Sequence, residues 1–347
     1  MNNEKLLAKL EKEHTHISDH MNVGGEFLYL TRDECIQAGL SEEDILQLVT
    51  ETLIAHGNKE YEMPAKIGVH PHEEVFYHAM PAYVPGKMAC GCKWIGCYPN
   101  NPAKYNLPQT TSLLTLNEVM TGCPIAVMDG TWITAARTPA VSVIAAAALA
   151  PDAETFGMFG CGVQGIEHVR YAPKTMKKLK KIMVYDIKPD VADNLVDMLQ
   201  DEVPVEIVKA DTAEEVAKSC EVLCSATIIL LKPLGVVKDE WISKGQTILP
   251  CDLNTFWEPK TQLRADKYIV DSADEHELFA GVGYFPDGLP KIYCETGEVI
   301  AGLKKGRERS DELIVCSNIG MSVFDVVLAQ SIFSKALEMK LGTRLPL

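Results

Sequence analysis

The apolar and polar positions of this chain change texture at identifiable points. Residues 1–25 are polar and read as a loose arm or a short helix. Glu26–Leu30 reads as a strand. Thr31 with Glu34, and then Ser41 ahead of Glu42, Glu43 and Asp44, place a capping hydroxyl and a carboxylate at two helix starts, the second before the amphipathic run Ile45–Ala55. From Pro64 to Val127 short β-like runs are broken by Pro and Gly: Val75–Met80, Met88–Ile95, Ser112–Asn117 and Ile125–Met128. They predict a mainly antiparallel sheet.

At Thr134 the texture changes again. Ala135-Ala136-Arg137-Thr138-Pro139 leads into the alanine-rich Val141–Ala150, a strong helix former, with Pro139 placed as for a first helical turn. Strand and helix patterns then alternate, with strands at Thr155–Phe159, Lys181–Tyr185, Val205–Val208, Glu221–Ser225, Thr247–Cys251 and Lys267–Val270. Alternation of this kind predicts an α/β fold with a doubly wound parallel sheet of the Rossmann type over residues 135–312. A second, α+β domain takes residues 1–134 and 313–347, including a last β-like run, Glu312–Cys316, and a long amphipathic helix, Met321–Met339.

A length of 347 residues suffices for two domains, each with its own core, and 47% hydrophobic with 23% charged residues is the composition of a globular enzyme. A net charge of −15 repels nucleic acid and anionic membranes alike. No apolar run approaches the roughly 20 residues that span a bilayer, and the N-terminus lacks the apolar core of a signal peptide, so a cytoplasmic location is expected. The eleven cysteines are scattered through apolar segments and should be mostly reduced and buried. Cys90, Cys92 and Cys97 cluster, but they lack the paired spacing of zinc ribbons and no fourth ligand stands nearby; no metal is expected.

The chemistry starts at Gly160-Cys161-Gly162-Val163-Gln164-Gly165, which closes one strand and opens a helix, with Asp186 ending the next strand about twenty residues on. Glycines at 160, 162 and 165 permit a tight turn, close approach of a pyrophosphate, and helix packed on strand. The pyrophosphate would lie on the positive end of that helix. Asp186 can accept from both ribose hydroxyls and repels a 2′-phosphate, which favours NAD over NADP. An ordinary βα turn would need no such agreement of spacing, order and acid.

Three cations stand in punctuated settings outside the strand-helix repeat: Lys66 after Met63-Pro64-Ala65, Lys93 amid Cys, Trp, Ile and Gly, and Arg137 at the start of the alanine helix. Arg137 can grip a carboxylate with two parallel bonds, assisted by free helix N–H groups. Lys93 should be partly buried, and a buried ammonium must be paired or reserved for a substrate. Asp252, after the strand Thr247–Cys251, is the acid expected to answer it, at the carboxyl end of a parallel strand where such folds bind ligands. Capping the next turn is its alternative role.

Taken together, Met80-Pro81-Ala82-Tyr83, Lys93 with Pro99-Asn100, Ala136-Arg137-Thr138, the glycine loop with Gln164, Lys232-Pro233, Asp252, and Ser317-Asn318-Ile319-Gly320 with Asp325 form an ordered series. In this series the chain resembles the ornithine cyclodeaminase and mu-crystallin family, which includes ornithine and lysine cyclodeaminases, an archaeal type of alanine dehydrogenase and ketimine reductases. The resemblance runs from about residue 28 to 340. It implies that Arg137 and Lys93 bind the substrate carboxylate, with Lys66 where the family carries an arginine, and that Asp252, beside Lys93, transfers the proton. It implies that Gly160, Gly162, Val163, Gln164, Gly165, Asp186 and Thr138 hold the nicotinamide cofactor, and that the protein is a homodimer built through the first domain's sheet. Pro139 follows Arg-Thr where alanine is common, and Leu253-Asn254-Thr255-Phe256-Trp257 replaces a glycine-rich turn with two aromatics, pointing to an altered substrate pocket.

The expected activity is an NAD-dependent oxidoreductase acting on the Cα–N bond of a small amino acid or its imine. A cyclodeaminase, which releases ammonia with no net redox change, is the alternative; it needs an acid for a distal ammonium, for which Glu73, Glu74 and Glu258 are candidates. A third reading is a cofactor-dependent binding protein, against which Lys93 and Asp252 argue.

Overall fold

The computed structural model describes residues 3–72 and 75–347, so Glu73 and Glu74 lie outside the described residues. The chain forms two compact units, Met1–Arg137 with Met321–Leu347, and Thr138–Gly320.

The first unit opens with α1 (Asn3–Ser18), a full helix where a loose arm or short helix was expected. There follow β1 (Glu26–Leu30), α2 (Arg32–Gln37), α3 (Glu42–Gly57), β2 (Ile67–Val69), β3 (Phe76–Val84), β4 (Ala89–Cys97), α4 (Asn101–Tyr105), β5 (Thr110–Asn117) and β6 (Pro124–Asp129). Both capping boxes form: Thr31 with Glu34 opens α2, and Ser41 with Asp44 opens α3. β5 buries every second residue, so one face of its sheet is covered and the other open. The long helix near the C-terminus packs along β3, β4 and β5. On the open face Trp94 pairs with Leu113, both about half exposed, and Tyr77 stacks on Trp94 at 5.5 Å.

α5 (Thr131–Leu149) carries the chain across the unit boundary. It starts well before the predicted helix, so Pro139 lies in its interior rather than its first turn, leaving one carbonyl without its helical N–H partner. By length and composition alone α5 could cross a membrane, but Arg137, Ser142 and three threonines interrupt its apolar residues, and 67% of its most apolar window is buried within the fold, as in a core helix.

The second unit contains β7 (Thr155–Phe159), α6 (Val163–Thr175), β8 (Lys181–Tyr185), α7 (Pro189–Leu199), β9 (Glu206–Lys209), α8 (Ala213–Ser219), β10 (Val222–Ser225) and β11 (Thr247–Pro250). It continues through α9 (Pro259–Leu263), β12 (Lys267–Val270), α10 (Ala273–Gly281), β13 (Ile292–Glu295), α11 (Thr296–Ile300) and β14 (Ile314–Ser317). Its eight strands lie in the order β13-β12-β14-β11-β10-β7-β8-β9 and all pair in parallel. β10, β11, β12 and β14 are buried at every position, because helices cover both faces of such a sheet. Two boundaries differ from expectation: residues 135–137 fall in the first unit, and β14 pairs with β11 and β12, so residues 313–320 belong to this unit and not to the first. From β7 the sheet grows outward through β8 and β9, then resumes on the other side with β10, which puts the reversal of strand order between β7 and β10. Ligands of open α/β sheets bind at the strand carboxyl ends at such a reversal.

α12 (Ser322–Met339) and β15 (Thr343–Pro346) return to the first unit, where the sheet runs β15-β1-β6-β5-β4-β3-β2, antiparallel except for the β1–β6 pair.

Candidate active site

The loop after β7 is built for close approach. Gly160 has φ +89°, and a Cβ there would meet the carbonyl oxygen of Ala226 at 2.7 Å. A Cβ on Gly165 would lie 2.0 Å from the Gly160 oxygen, so only glycine lets the first turn of α6 sit on the strand. Gly162, by contrast, faces open space, and as the N-cap of α6 it offers no side-chain acceptor to the helix's first N–H groups. Val163 beside it is exposed. The side-chain oxygen of Gln164 is buried without a hydrogen-bond partner among the described residues. Uncapped N–H groups, an orphaned amide oxygen and an absent Cβ at 162 together fit a phosphate-bearing cofactor. Asp186, at the end of β8, accepts from the Cys161 N–H at 2.8 Å and the Lys188 N–H at 2.9 Å. Its carboxylate is thereby tied to the glycine loop, with further lone pairs to offer. Thr138, in α5, is half-buried.

Asp252 follows β11 and is fully buried. Ser225 Oγ donates to its Oδ1 at 2.6 Å; the Thr227 hydroxyl and, at 3.3 Å, the Thr227 N–H donate to Oδ2. Its side chain therefore caps no helix. Trp257 Nε1 donates to Ser225 Oγ at 2.7 Å, and because an indole N–H can only donate, the Ser225 hydroxyl proton is left for Asp252. Burial pushes the Asp252 carboxyl up to about 6 against these hydrogen bonds. Ala226 and Thr227, just past β10, touch Gly160, and Thr227 also holds Asp252, so one short segment joins the acid to the glycine loop. Phe256 and Trp257 pack on Phe159 in the core of the unit instead of entering a pocket as expected; the aromatic pair supports Asp252 from behind.

In the first unit Lys93 projects from β4 with no exposed surface. Its partner is Asp325, in the first turn of α12, at 2.6 Å, and not Asp252 as the sequence suggested; Nζ also donates to Thr134 Oγ1 at 3.1 Å. Arg137 Nε donates to the other Asp325 oxygen at 3.0 Å. Two buried cations thus share one carboxylate, and no hydrogen bond engages the terminal nitrogens of Arg137 among the described residues. Arg137 lies beyond the first turn of α5, so helix N–H groups do not assist it, contrary to expectation. Burial pulls the Lys93 ammonium down to about 7 despite Asp325, and the charges of Arg137 and Lys66 act in the same direction. Burial alone would raise the Asp325 carboxyl, yet Arg137 and Lys93 hold it below its ordinary range. Lys66 is buried near this group. His78, on the Lys93 face of the sheet, is held neutral down to about 3 by burial and by the charges of Lys66, His70 and Lys93.

Glu258, a candidate for a distal ammonium, instead accepts from the Asp239 N–H at 2.9 Å and pairs with Lys238 and Lys260. Asp325, His78, Ser225 and Thr227 were given no role from the sequence. Asp325 had a signal: it is a lone acid in the apolar run Ser322–Phe333, where a charge must be paired.

Similarity to known proteins covers most of the chain. An alanine dehydrogenase of Archaeoglobus fulgidus is 30% identical over 328 residues, 92% of this chain and 98% of that protein. The solved Δ1-pyrroline-2-carboxylate reductase of Thermococcus litoralis, in complex with NADH and L-proline, is 28% identical with a TM-score of 0.80, covering 91% of this chain and 99% of that one. A solved archaeal alanine dehydrogenase dimer with bound NAD is likewise 28% identical at a TM-score of 0.80, covering 92% and 99%. The model of the ornithine cyclodeaminase/mu-crystallin family matches residues 30–340, and the chain belongs to that family.

Proposed function

We propose that this protein is an NAD-dependent oxidoreductase acting on the Cα–N bond of a small amino acid or its imine. The observation that carries the reading is the buried pair of cations, Lys93 and Arg137, sharing the single carboxylate of Asp325 while the fork of Arg137 stays open. A second carboxylate balances that charge, and an α-carboxylate is the group such a fork selects. Lys66 adds a further cation on the same unit. Asp252 holds or releases the proton on the substrate nitrogen, with Ser225 and Thr227 fixing both of its oxygens. Gly160, Gly162, Val163, Gln164, Gly165, Asp186 and Thr138 hold the cofactor. When bound, NAD supplies the acceptor or donor of hydride at Cα.

The cyclodeaminase reading loses Glu258, which its own loop occupies. The dehydrogenase of Archaeoglobus fulgidus and the reductase of Thermococcus litoralis also support a net redox reaction. The open sheet face around Tyr77, Trp94 and Leu113 supports a homodimer, and the eleven free cysteines support a cytoplasmic setting.

The deciding experiment offers amino acids with NAD, and cyclic imines with NADH, following both nicotinamide absorbance and ammonia. A stoichiometric absorbance change is expected. Ammonia released without it would make the protein a cyclodeaminase, and neither signal would make it a binding protein. NAD(H) should bind at least about tenfold tighter than NADP(H), or about 1.4 kcal/mol, and Asp186→Ser should narrow the gap. Equal affinities in calorimetry would remove Asp186 from cofactor choice.

A further inference from the structure

A second cluster of chemistry-bearing side chains lies inside the Rossmann unit and takes no part in the reaction above. Cys224 is the third residue of β10, opposite Leu249 on β11. Cys251 stands two residues beyond Leu249, so both sulfurs leave the same face of the sheet. Ser225 and Asp252 leave the other face. From α6, His168 comes down onto the sulfurs with its Nε2 3.6 Å from Cys251 Sγ. From α5, the Ser142 hydroxyl lies 3.2 Å from the same sulfur.

We propose that His168, Cys224 and Cys251 form a buried zinc site, with Ser142, or a water on it, completing a tetrahedron. Their ligand atoms all lie within 4.8 Å of one another. Zinc–sulfur bonds of about 2.3 Å and zinc–nitrogen bonds of about 2.0–2.1 Å give tetrahedral edges of roughly 3.5–3.8 Å, which the His168–Cys251 separation already matches. The histidine is pre-set for the task. Its Nδ1 lies 2.7 Å from the Gln164 carbonyl oxygen, which can only accept, so Nδ1 carries the proton and Nε2 presents its lone pair to the sulfurs. A backbone carbonyl orienting the far nitrogen is the usual arrangement behind a metal-binding imidazole.

Charge and donor chemistry agree. As two thiols release their protons, two thiolates neutralise the divalent cation, and a neutral cluster can be buried where a lone ion cannot. Two sulfurs and an imidazole select zinc over magnesium or calcium, which take oxygen ligands. Cys251 is half-buried and offers the way in, whereas His168 and Cys224 are fully buried. The site would brace two parts of the machinery from behind the sheet. Cys251 precedes Asp252, and His168 is one helical turn from Gln164 at the glycine loop. The inference does not depend on the substrate assigned above.

The test uses the full chain, purified under a thiol reductant, stripped with chelator and titrated with cobalt(II) and then zinc. One cobalt per chain should give the thiolate charge-transfer and intense visible bands of a tetrahedral site, bleached by one equivalent of zinc, with a rise in Tm. Cys224→Ser and Cys251→Ser should abolish the bands, and Cys90→Ser, outside the cluster, should keep them. Octahedral or substoichiometric cobalt in the folded wild-type chain would overturn the proposal without reference to any variant. So would unchanged bands in Cys224→Ser, or a disulfide between Cys224 and Cys251 in the protein before reduction.

Discussion

Asp325 and Asp252 are both carboxylates with no exposed surface, yet the two units treat them in opposite ways. Asp325 meets two cations, Lys93 and Arg137, and is held below the ordinary carboxylate range. Asp252 meets hydroxyls and one N–H, neutral donors that cannot offset burial, and is pushed up to about 6. Burial alone therefore says nothing about what an acid does; the charge of its partners decides. The first arrangement gives a permanent anion that organises cations. The second gives an acid of adjustable protonation.

Removing each charge should separate the two roles. Asp325→Asn leaves Lys93 and Arg137 buried without their counter-charge, and should cost about 3–5 kcal/mol of stability, read by urea unfolding. A loss under about 1 kcal/mol would mean that the triad is not the buried ion network described. Asp252→Asn should do the reverse, keeping the fold and NAD binding while lowering turnover by roughly a hundredfold or more. Near-normal turnover would reduce Asp252 to a structural group.

Arg137→Lys keeps the charge beside Asp325 but loses the fork. Each lost charge-assisted bond is worth about 1.5–3 kcal/mol, so catalytic efficiency should fall about tenfold or more with NAD affinity little changed. Weaker NAD binding with unchanged amino-acid saturation would place Arg137 with the cofactor and leave Lys66 as the next candidate anchor. The smallest effect is in pH. With Lys93 lowered to about 7, its charge fades as pH rises, so affinity for a small carboxylate should weaken by up to about tenfold per unit on the alkaline side. The fall starts near 7, the value in the ligand-free protein, and levels off above the higher value that the bound anion gives the ammonium. Lys93→Arg should flatten it, since guanidinium does not lose its proton in that range. A wild-type profile already flat from roughly pH 6 to 9 would show that Lys93 stays charged throughout.

What the sequence determined on its own is everything written in short-range pattern. β7, β8 and β12 fall on the predicted residues, and both capping boxes form, because alternation, caps and glycine turns involve neighbours a few positions apart. The glycine loop and Asp186 were legible for the same reason, as one strand-turn-helix and the strand after it. The cations were legible as buried charges, but not their partner. Lys93, Arg137 and Asp325 come from β4, α5 and α12, and only the packing of α12 along the first sheet brings the acid to the lysine. Short strands such as β2, β13 and β15 were missed because edge pairing, not their own composition, makes them strands. Trp257 and Phe256 looked like pocket residues in sequence. The tertiary structure turned them into the core behind Asp252, because a fully buried indole needs an acceptor for its N–H and Ser225 provides it.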